Sequence, residues 1–270
     1  MPIGVFDSGL GGLSILAALQ KKLPDQAFIY FGDNANAPYG PKNTDEIYEL
    51  TTAACTKLFD LGCDLVIIAC NTSAATALHK LQTEWLPKGK RRVLGVFVPM
   101  IENLTRRNWG DNAPPTHTGL ANVALFATAA TVASGAFPRE LKFRARDVLV
   151  EGQACPGLVD AIEARDDAAA KALVERFAGS LLERLPAPQA AVLGCTHYPL
   201  VRDMFAAALP ATTRLIDQPE IVADSLADYL ARYPHFAEAG TTRYLTSGDA
   251  AEVSTGATRF LGRDAQFSAH

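Results

Sequence analysis

Short apolar runs alternate with stretches of helical period along almost the whole chain, and few folds accept that rhythm. Ile3–Phe6, Phe28–Phe31, Leu65–Ala69 and Val93–Phe97 read as buried strands. Between them, Leu13–Leu23, Thr44–Leu61 and Thr72–Trp85 carry apolar residues at helical spacing, with Thr44 as N-cap and Gly62 as stop for the second. Strand, helix, strand, helix predicts a parallel sheet with helices on both faces. The stretch NWGDNAPPTHTG (108–119) interrupts the pattern and reads as a loop. A second series follows, with strands at Val123–Ala127, Val148–Val150, Ala190–Leu193, Leu215–Ile216 and Arg243–Leu245. Its helices are Ala129–Arg144 (irregular near Gly135 or Pro138), Gly157–Ala164, Asp167–Leu185, Leu200–Leu209, Ile221–Tyr233 and Ala250–Leu261. The fold class expected is α/β, with two similar parallel-sheet domains.

Composition narrows the function. The 270 residues suffice for one large or two small α/β domains, and 49% hydrophobic with 20% charged residues is ordinary globular usage. A net charge of −4 gives no basic surplus for nucleic acid or an anionic membrane. MPIGVFDSG has no signal-peptide pattern, and no apolar run approaches the roughly 20 residues that span a bilayer. The five cysteines (Cys55, Cys63, Cys70, Cys155, Cys195) are odd in number and form no CxxC, which favours a reduced, cytoplasmic chain over a disulfide scaffold. No Cys or His pair has zinc-site spacing, so no metal is expected.

Two of these cysteines stand apart. In DLVIIACNTSAATAL and QAAVLGCTHYPLVRDM, an apolar strand ends in a small residue and a Cys, then hydroxyl or amide side chains, then a helix. Cys70 and Cys195 thus take the same place in two similar units. Ligands bind beyond the carboxyl ends of strands in open α/β sheets. Amides at a helix start lower a thiol pKa and hold carboxylates. Cys55 and Cys63, within or beside an amphipathic helix, read as core fillers.

Cys195 with His197 could be a thiol nucleophile and its base. Residues two apart seldom pair that way, and Cys70 would stand idle. Two thiols facing one cavity suit a different chemistry, in which one takes a proton from a carbon centre and the other returns a proton to the opposite face. The centre inverts, with no cofactor needed.

The motifs IGVFDSGLGGLS (3–14), YFGDNANAPYG (30–40), LVIIACNTSAA (65–75), ATAATVASGAF (127–137), QACPGLVDAIE (153–163), LGCTHYPL (193–200) and YLTSGD (244–249) resemble those of the glutamate racemases, a branch of the aspartate/glutamate racemase superfamily. The resemblance covers nearly the whole length. It implies cofactor-independent interconversion of L- and D-glutamate for peptidoglycan synthesis. It makes Cys70 and Cys195 the acid/base thiols, for the D- and L-enantiomer respectively, with Asp7 and His197 flanking them. Asp7, Ser8, Asn71, Thr72, Thr131, Thr196 and His197 are then expected to bind substrate, Tyr39 and Gly40 to line the pocket, and Glu163 to assist near Cys195. The implied architecture is a first domain of 1–97 plus 210–270 and a second of 98–209, facing each other across an active-site cleft. A homodimer is compatible with it, and no nucleic acid, membrane, cofactor or metal is implied.

Plainer readings exist for some of these residues. Asp7 could cap the helix near Gly12, Thr131 could be ordinary helix-start chemistry, and Tyr39 could simply pack. The chain departs from the family's usual pattern at Asn36, in GVFVPMIENL and in the Pro-rich loop at 108–119. GLGG (9–12) lacks the spacing of a dinucleotide loop. Racemisation of aspartate and amino-acid binding without turnover are the competing functions; both thiols would be superfluous for binding alone.

Overall fold

The structure, a computed structural model, describes residues 1–86, 89–107 and 113–270. The chain forms two compact units, Met1–Val96 with Pro219–His270, and Phe97–Gln218. In order, the elements are β1 (Ile3–Asp7), α1 (Leu13–Lys22), β2 (Phe28–Gly32), α2 (Thr44–Asp60), β3 (Leu65–Ile68), α3 (Asn71–Thr76), α4 (Leu78–Lys80) running into a wide helical turn at Leu81–Trp85, and β4 (Arg92–Gly95). Then come α5 (Phe97–Thr105), β5 (Asn122–Ala127), α6 (Ala129–Ser134), α7 (Ala136–Lys142), β6 (Leu149–Ala154), α8 (Leu158–Glu163), α9 (Asp167–Arg184), β7 (Ala190–Gly194), α10 (Arg202–Ala208) and β8 (Arg214–Ile216). The chain ends with α11 (Pro219–Arg232), β9 (Arg243–Thr246), α12 (Ala250–Leu261) and β10 (Phe267–Ala269).

The first unit holds a six-stranded sheet in the order β10-β9-β2-β1-β3-β4, and every pairing is parallel. Strands β1, β2 and β3 are buried along their whole length, which is why they read as unbroken apolar runs rather than alternating ones. The second unit holds a four-stranded parallel sheet in the order β6-β5-β7-β8. One face of it packs on α8, α9 and α10 around Phe126, Val174, Leu181, Leu193 and Phe205, with the Phe126 and Phe205 rings 4.9 Å apart.

The two sheets share a frame. In each, the first strand lies centrally, the second pairs on one side, the third pairs on the other, and the fourth pairs outside the third. The direction reverses between β1 and β3 in one sheet and between β5 and β7 in the other. These are the positions where open α/β sheets bind ligands.

The structure corrects several boundaries. Asn43, not Thr44, caps α2, its side chain accepting from the Glu46 N–H at 2.9 Å. The strand expected at Val93–Phe97 stops at Gly95, and Phe97 opens α5, where Pro99 falls in the first turn and loses no helical hydrogen bond. The helix expected over Ala129–Arg144 is two, divided at Gly135, whose φ of +61° only glycine adopts cheaply. Strand β6 runs on to Ala154, and β10 adds an edge strand beside β9. The return to the first unit comes at Pro219, beyond residue 210, because β8 still pairs with β7. Of the loop at 108–119, residues 108–112 lie outside the described residues. Its later part is tied down by Asp147, which accepts from the N–H groups of Thr118 and Gly119 at 3.0 Å each.

Candidate active site

Strand β3 ends at Ile68, and the chain turns at once into α3. Cys70 sits at that corner as the N-cap residue of α3, its sulfur accepting from the Ser73 N–H at 3.5 Å. Asn71 and Thr72 form the first turn of α3, both buried. From the neighbouring strand β1 come Asp7, its last residue and almost wholly buried, and Ser8. The Cys70 thiol donates to Ser8 Oγ at 3.3 Å. Asp7 is not the cap of α1, which begins after Gly12 with no side-chain cap; its Oδ2 accepts instead from the Gly9 N–H at 3.0 Å. Gly12 is small because Asp7 is there: a Cβ on Gly12 would lie 2.5 Å from Asp7 Cβ. The last glycine of GLGG therefore serves close packing against Asp7. Tyr39 is buried with its ring 6.3 Å from Phe6, and Gly40 follows it half-buried.

The helix-start amide of Ser73 does pull the Cys70 pKa down, as expected, but it is outweighed. Burial pushes this thiol up to about 11 and the Asp7 carboxylate pushes the same way, while Ser73 and Ser8 pull it back. Six residues of helix cannot outweigh the loss of water. Cys55 and Cys63, buried fillers of the same unit, are pushed by burial to about 12 each.

The second unit carries the corresponding corner. Strand β7 ends at Gly194, and Cys195, Thr196 and His197 follow, all buried. The chain then tightens, Tyr198 N–H donating to the Cys195 carbonyl at 3.1 Å. That turn brings His197 Nδ1 to 4.0 Å from Cys195 Sγ and 3.5 Å from Thr196 Oγ1, so two residues of separation do permit the contact. His197 Nε2 lies 2.8 Å from Glu163 Oε1, at the end of α8. Burial opposes the imidazolium, yet its hydrogen bonds to Cys195 and Glu163 raise the His197 pKa to about 10. The same contact holds the half-exposed Glu163 below its ordinary value. Thr131 lies in the first turn of α6, accepting from Thr128 Oγ1 at 3.0 Å. Residues Ala127 and Gly194 are register partners, so Thr128 and Cys195 leave adjacent strands side by side.

Each expected residue therefore falls into one of two clusters. Asp7, Ser8, Cys70, Asn71 and Thr72 lie at the strand ends of the first sheet, with Tyr39 packed on Phe6 and Gly40 next to it in the loop after β2; Thr131, Cys195, Thr196 and His197 lie at those of the second, with Glu163 reaching His197 from the end of α8. Sequence reasoning missed Ser73, whose position three residues after Cys70 is the place from which a capped amide donates. It also missed Thr128, beside Thr131, and Asp33, whose carboxylate holds Tyr39. Among the described residues, no group of three His, Cys, Asp or Glu could hold a metal ion, and no helix is long and apolar enough to cross a membrane.

A family model described as Asp/Glu/Hydantoin racemase matches residues 13–226. The chain is 57% identical over 270 residues to a glutamate racemase of Cereibacter sphaeroides and 55% identical over 269 residues to one of Roseobacter denitrificans, covering 100% of both chains in each case. It also superposes with a TM-score of 0.84 and 26% identity on the crystal structure of Francisella tularensis glutamate racemase in complex with D-glutamate, covering 100% of this chain and 96% of that one. The chain belongs to the Asp/Glu/Hydantoin racemase family and is a racemase, an isomerase.

Proposed function

We propose that this chain interconverts L- and D-glutamate by a two-base mechanism in which Cys70 and Cys195 exchange roles. The observation that carries the reading is the placement of one thiol after the equivalent strand of each sheet, each beside side chains able to hold an amino acid. Full-length similarity to glutamate racemases supports glutamate as the substrate.

With L-glutamate, the Cys195 thiolate takes the α-proton. The C–H electron pair stays on the α-carbon, conjugated with the carboxylate. The Cys70 S–H bond then breaks and its proton goes to the opposite face. D-Glutamate leaves, Cys195 holds a proton and Cys70 is a thiolate, so the reverse reaction restores the start. The scheme requires both strand-end clusters to reach one substrate, and it uses no cofactor or metal. Ser8, Asn71, Thr72, Thr131 and Thr196 supply donors and acceptors for the amino and carboxylate groups, where fixed donors stabilise the charge that develops. Tyr39 and Gly40 shape the pocket. Asp7 makes the Cys70 thiolate a stronger base. His197, held protonated by Cys195 and Glu163, balances negative charge at Cys195. The product serves peptidoglycan synthesis, in a cytoplasm reducing enough to keep five thiols unbridged.

The test is incubation with L-glutamate or L-aspartate in deuterium oxide, without added cofactor. Solvent deuterium should enter the α-position of glutamate as optical rotation decays, and neither Cys70→Ala nor Cys195→Ala should racemise. Turnover of aspartate alone would refute the substrate, binding without exchange would refute catalysis, and full activity of either variant would refute the two-base scheme.

A further inference from the structure

Asp33 follows β2, is 5% exposed and has no part in the chemistry above. Its carboxylate is nevertheless crowded with donors. Tyr39 Oη donates to Oδ2 at 2.6 Å, and Ser247 Oγ donates to Oδ1 at 2.6 Å. Asn36 Nδ2 reaches both oxygens at 3.0 Å. Ser247 also accepts from the Ala35 N–H at 3.1 Å, and its own N–H donates to the Gly32 carbonyl at 3.1 Å. Beside it, Thr246 Oγ1 donates to Asn34 Oδ1 at 2.9 Å. Thr246, the last residue of β9, and Ser247 after it are therefore bonded to the loop at 33–36. On the other side, the Asp33 N–H donates to the Asp7 carbonyl at 3.0 Å, and the Tyr39 ring packs on Phe6, whose carbonyl accepts from the Ala69 N–H at 2.8 Å.

We propose that Asp33 and Ser247 are positioning residues for the racemisation, a hydrogen-bonded clamp through which the C-terminal TSGD segment fixes Tyr39 and the turn to Gly40 beside Cys70. The alternative is plain structural glue, and the geometry argues against it. A buried carboxylate is costly to desolvate unless its lone pairs are filled. A site that only joined two loops would do so more cheaply with apolar contacts. Here two of the shortest side-chain bonds of the unit converge on one carboxylate, and one of the donors is the phenol of Tyr39, whose ring packs on Phe6, the residue before Asp7. The pair acts through Tyr39 and touches neither thiol. This inference rests on the reading that Cys70 works on glutamate.

A double-mutant cycle tests it, using glutamate racemisation in one direction. Wild-type turnover of glutamate is the precondition, and its absence would count against the proposed function rather than the clamp. Ser247→Ala should lose about tenfold in kcat/KM, the size expected for one charge-assisted hydrogen bond, and Ser247→Thr should return to within about twofold. In a Tyr39→Phe background, Ser247→Ala should cost less than about twofold, because the group it positions has lost its hydroxyl. Should Ser247→Ala fail to fold, Asp33→Asn carries the same comparison. Equal losses in both backgrounds, or no loss in either, would overturn the clamp.

Discussion

Ser73→Ala separates reactivity from stability at Cys70. Ser73 is completely buried, and its hydroxyl has no nitrogen or oxygen partner among the described residues. It is one of the groups that pull the Cys70 pKa down against burial and Asp7, which together bring it to about 11. Unpartnered beside the neutral thiol, this hydroxyl can turn to donate to the thiolate; a hydrogen bond to a charged group contributes about 1.5–3 kcal/mol, and one to sulfur belongs at the lower end. Removing it should raise the thiol by about one unit, since one unit is about 1.4 kcal/mol. At a pH well below that value, the thiolate fraction then falls about tenfold. The more basic thiolate is intrinsically more nucleophilic, with a Brønsted slope of about 0.4–0.5, and recovers roughly threefold of that. Alkylation of Cys70 by iodoacetamide should therefore slow by roughly three- to fourfold. Short pulses at pH 7–9, read by mass spectrometry of the Cys70 peptide with the Cys195 peptide as internal reference, measure this. Thermal stability should hold or rise, because the substitution deletes a buried hydroxyl that bonds no nitrogen or oxygen. An unchanged or faster Cys70 rate in a stably folded variant would refute the assignment of Ser73.

The same assay gives the opposite sign for Asp7→Asn: removing the carboxylate that raises Cys70 should speed its alkylation several-fold. Gly12→Ala should lower the melting temperature by several degrees, because the new Cβ would meet Asp7 Cβ at 2.5 Å and overpacking costs about 1–3 kcal/mol. Glu163→Gln should show a pH-dependent stability gap from wild type of about 1 kcal/mol, discounted because Glu163 is half exposed. His197 is raised from 6.5 to about 10, so its share is full below 6.5 and is lost as pH rises through about 10. Glu163 is lowered from 4.5, so its share is present above 4.5 and is lost as pH falls through the folded value. Urea titrations should find the gap widest between those limits, near pH 5–6, and closing by pH 10; a gap that does not vary with pH would remove the ion pair as its cause.

The strands that support the site were legible because they are buried on both faces and carry no polar interruptions: β1, β2, β3, β5 and β7. What the sequence hid was set by contacts across the chain. Strand β10 is three residues long with two of them exposed, and only its pairing with β9 makes it a strand. The run VLGVFVPM gives no apolar signal for where strand yields to helix; the change falls at Gly95, whose Cβ would meet Leu78 Cδ2 at 2.5 Å. In the site, the thiols announced themselves by their corner positions and repeated surroundings. Asp33 and Ser247 did not, since their bond joins segments 214 residues apart and each alone looks like loop composition.

The repeated frame reaches past the two thiols, and so does its asymmetry. Asp33 N–H donates to the Asp7 carbonyl at 3.0 Å after β2, and Cys155 N–H donates to the Ala127 carbonyl at 2.9 Å after β6, the same bond at the same place. Yet one frame sets a carboxylate, Asp7, at the end of its central strand, where the other has Ala127. The first thiol therefore meets negative charge, while the second meets an imidazole kept protonated by Cys195 and Glu163. A racemase cannot use such a difference to favour one enantiomer. The two are equal in free energy, so kcat/KM must be the same in both directions whatever surrounds the thiols. What the asymmetry can set is where the negative charge rests between turnovers, and hence which enantiomer finds its base ready. A carboxylate beside Cys70 disfavours an anion there. On the proposed mechanism, the charge beside Cys70 sets how strong a base that thiolate is without biasing the equilibrium.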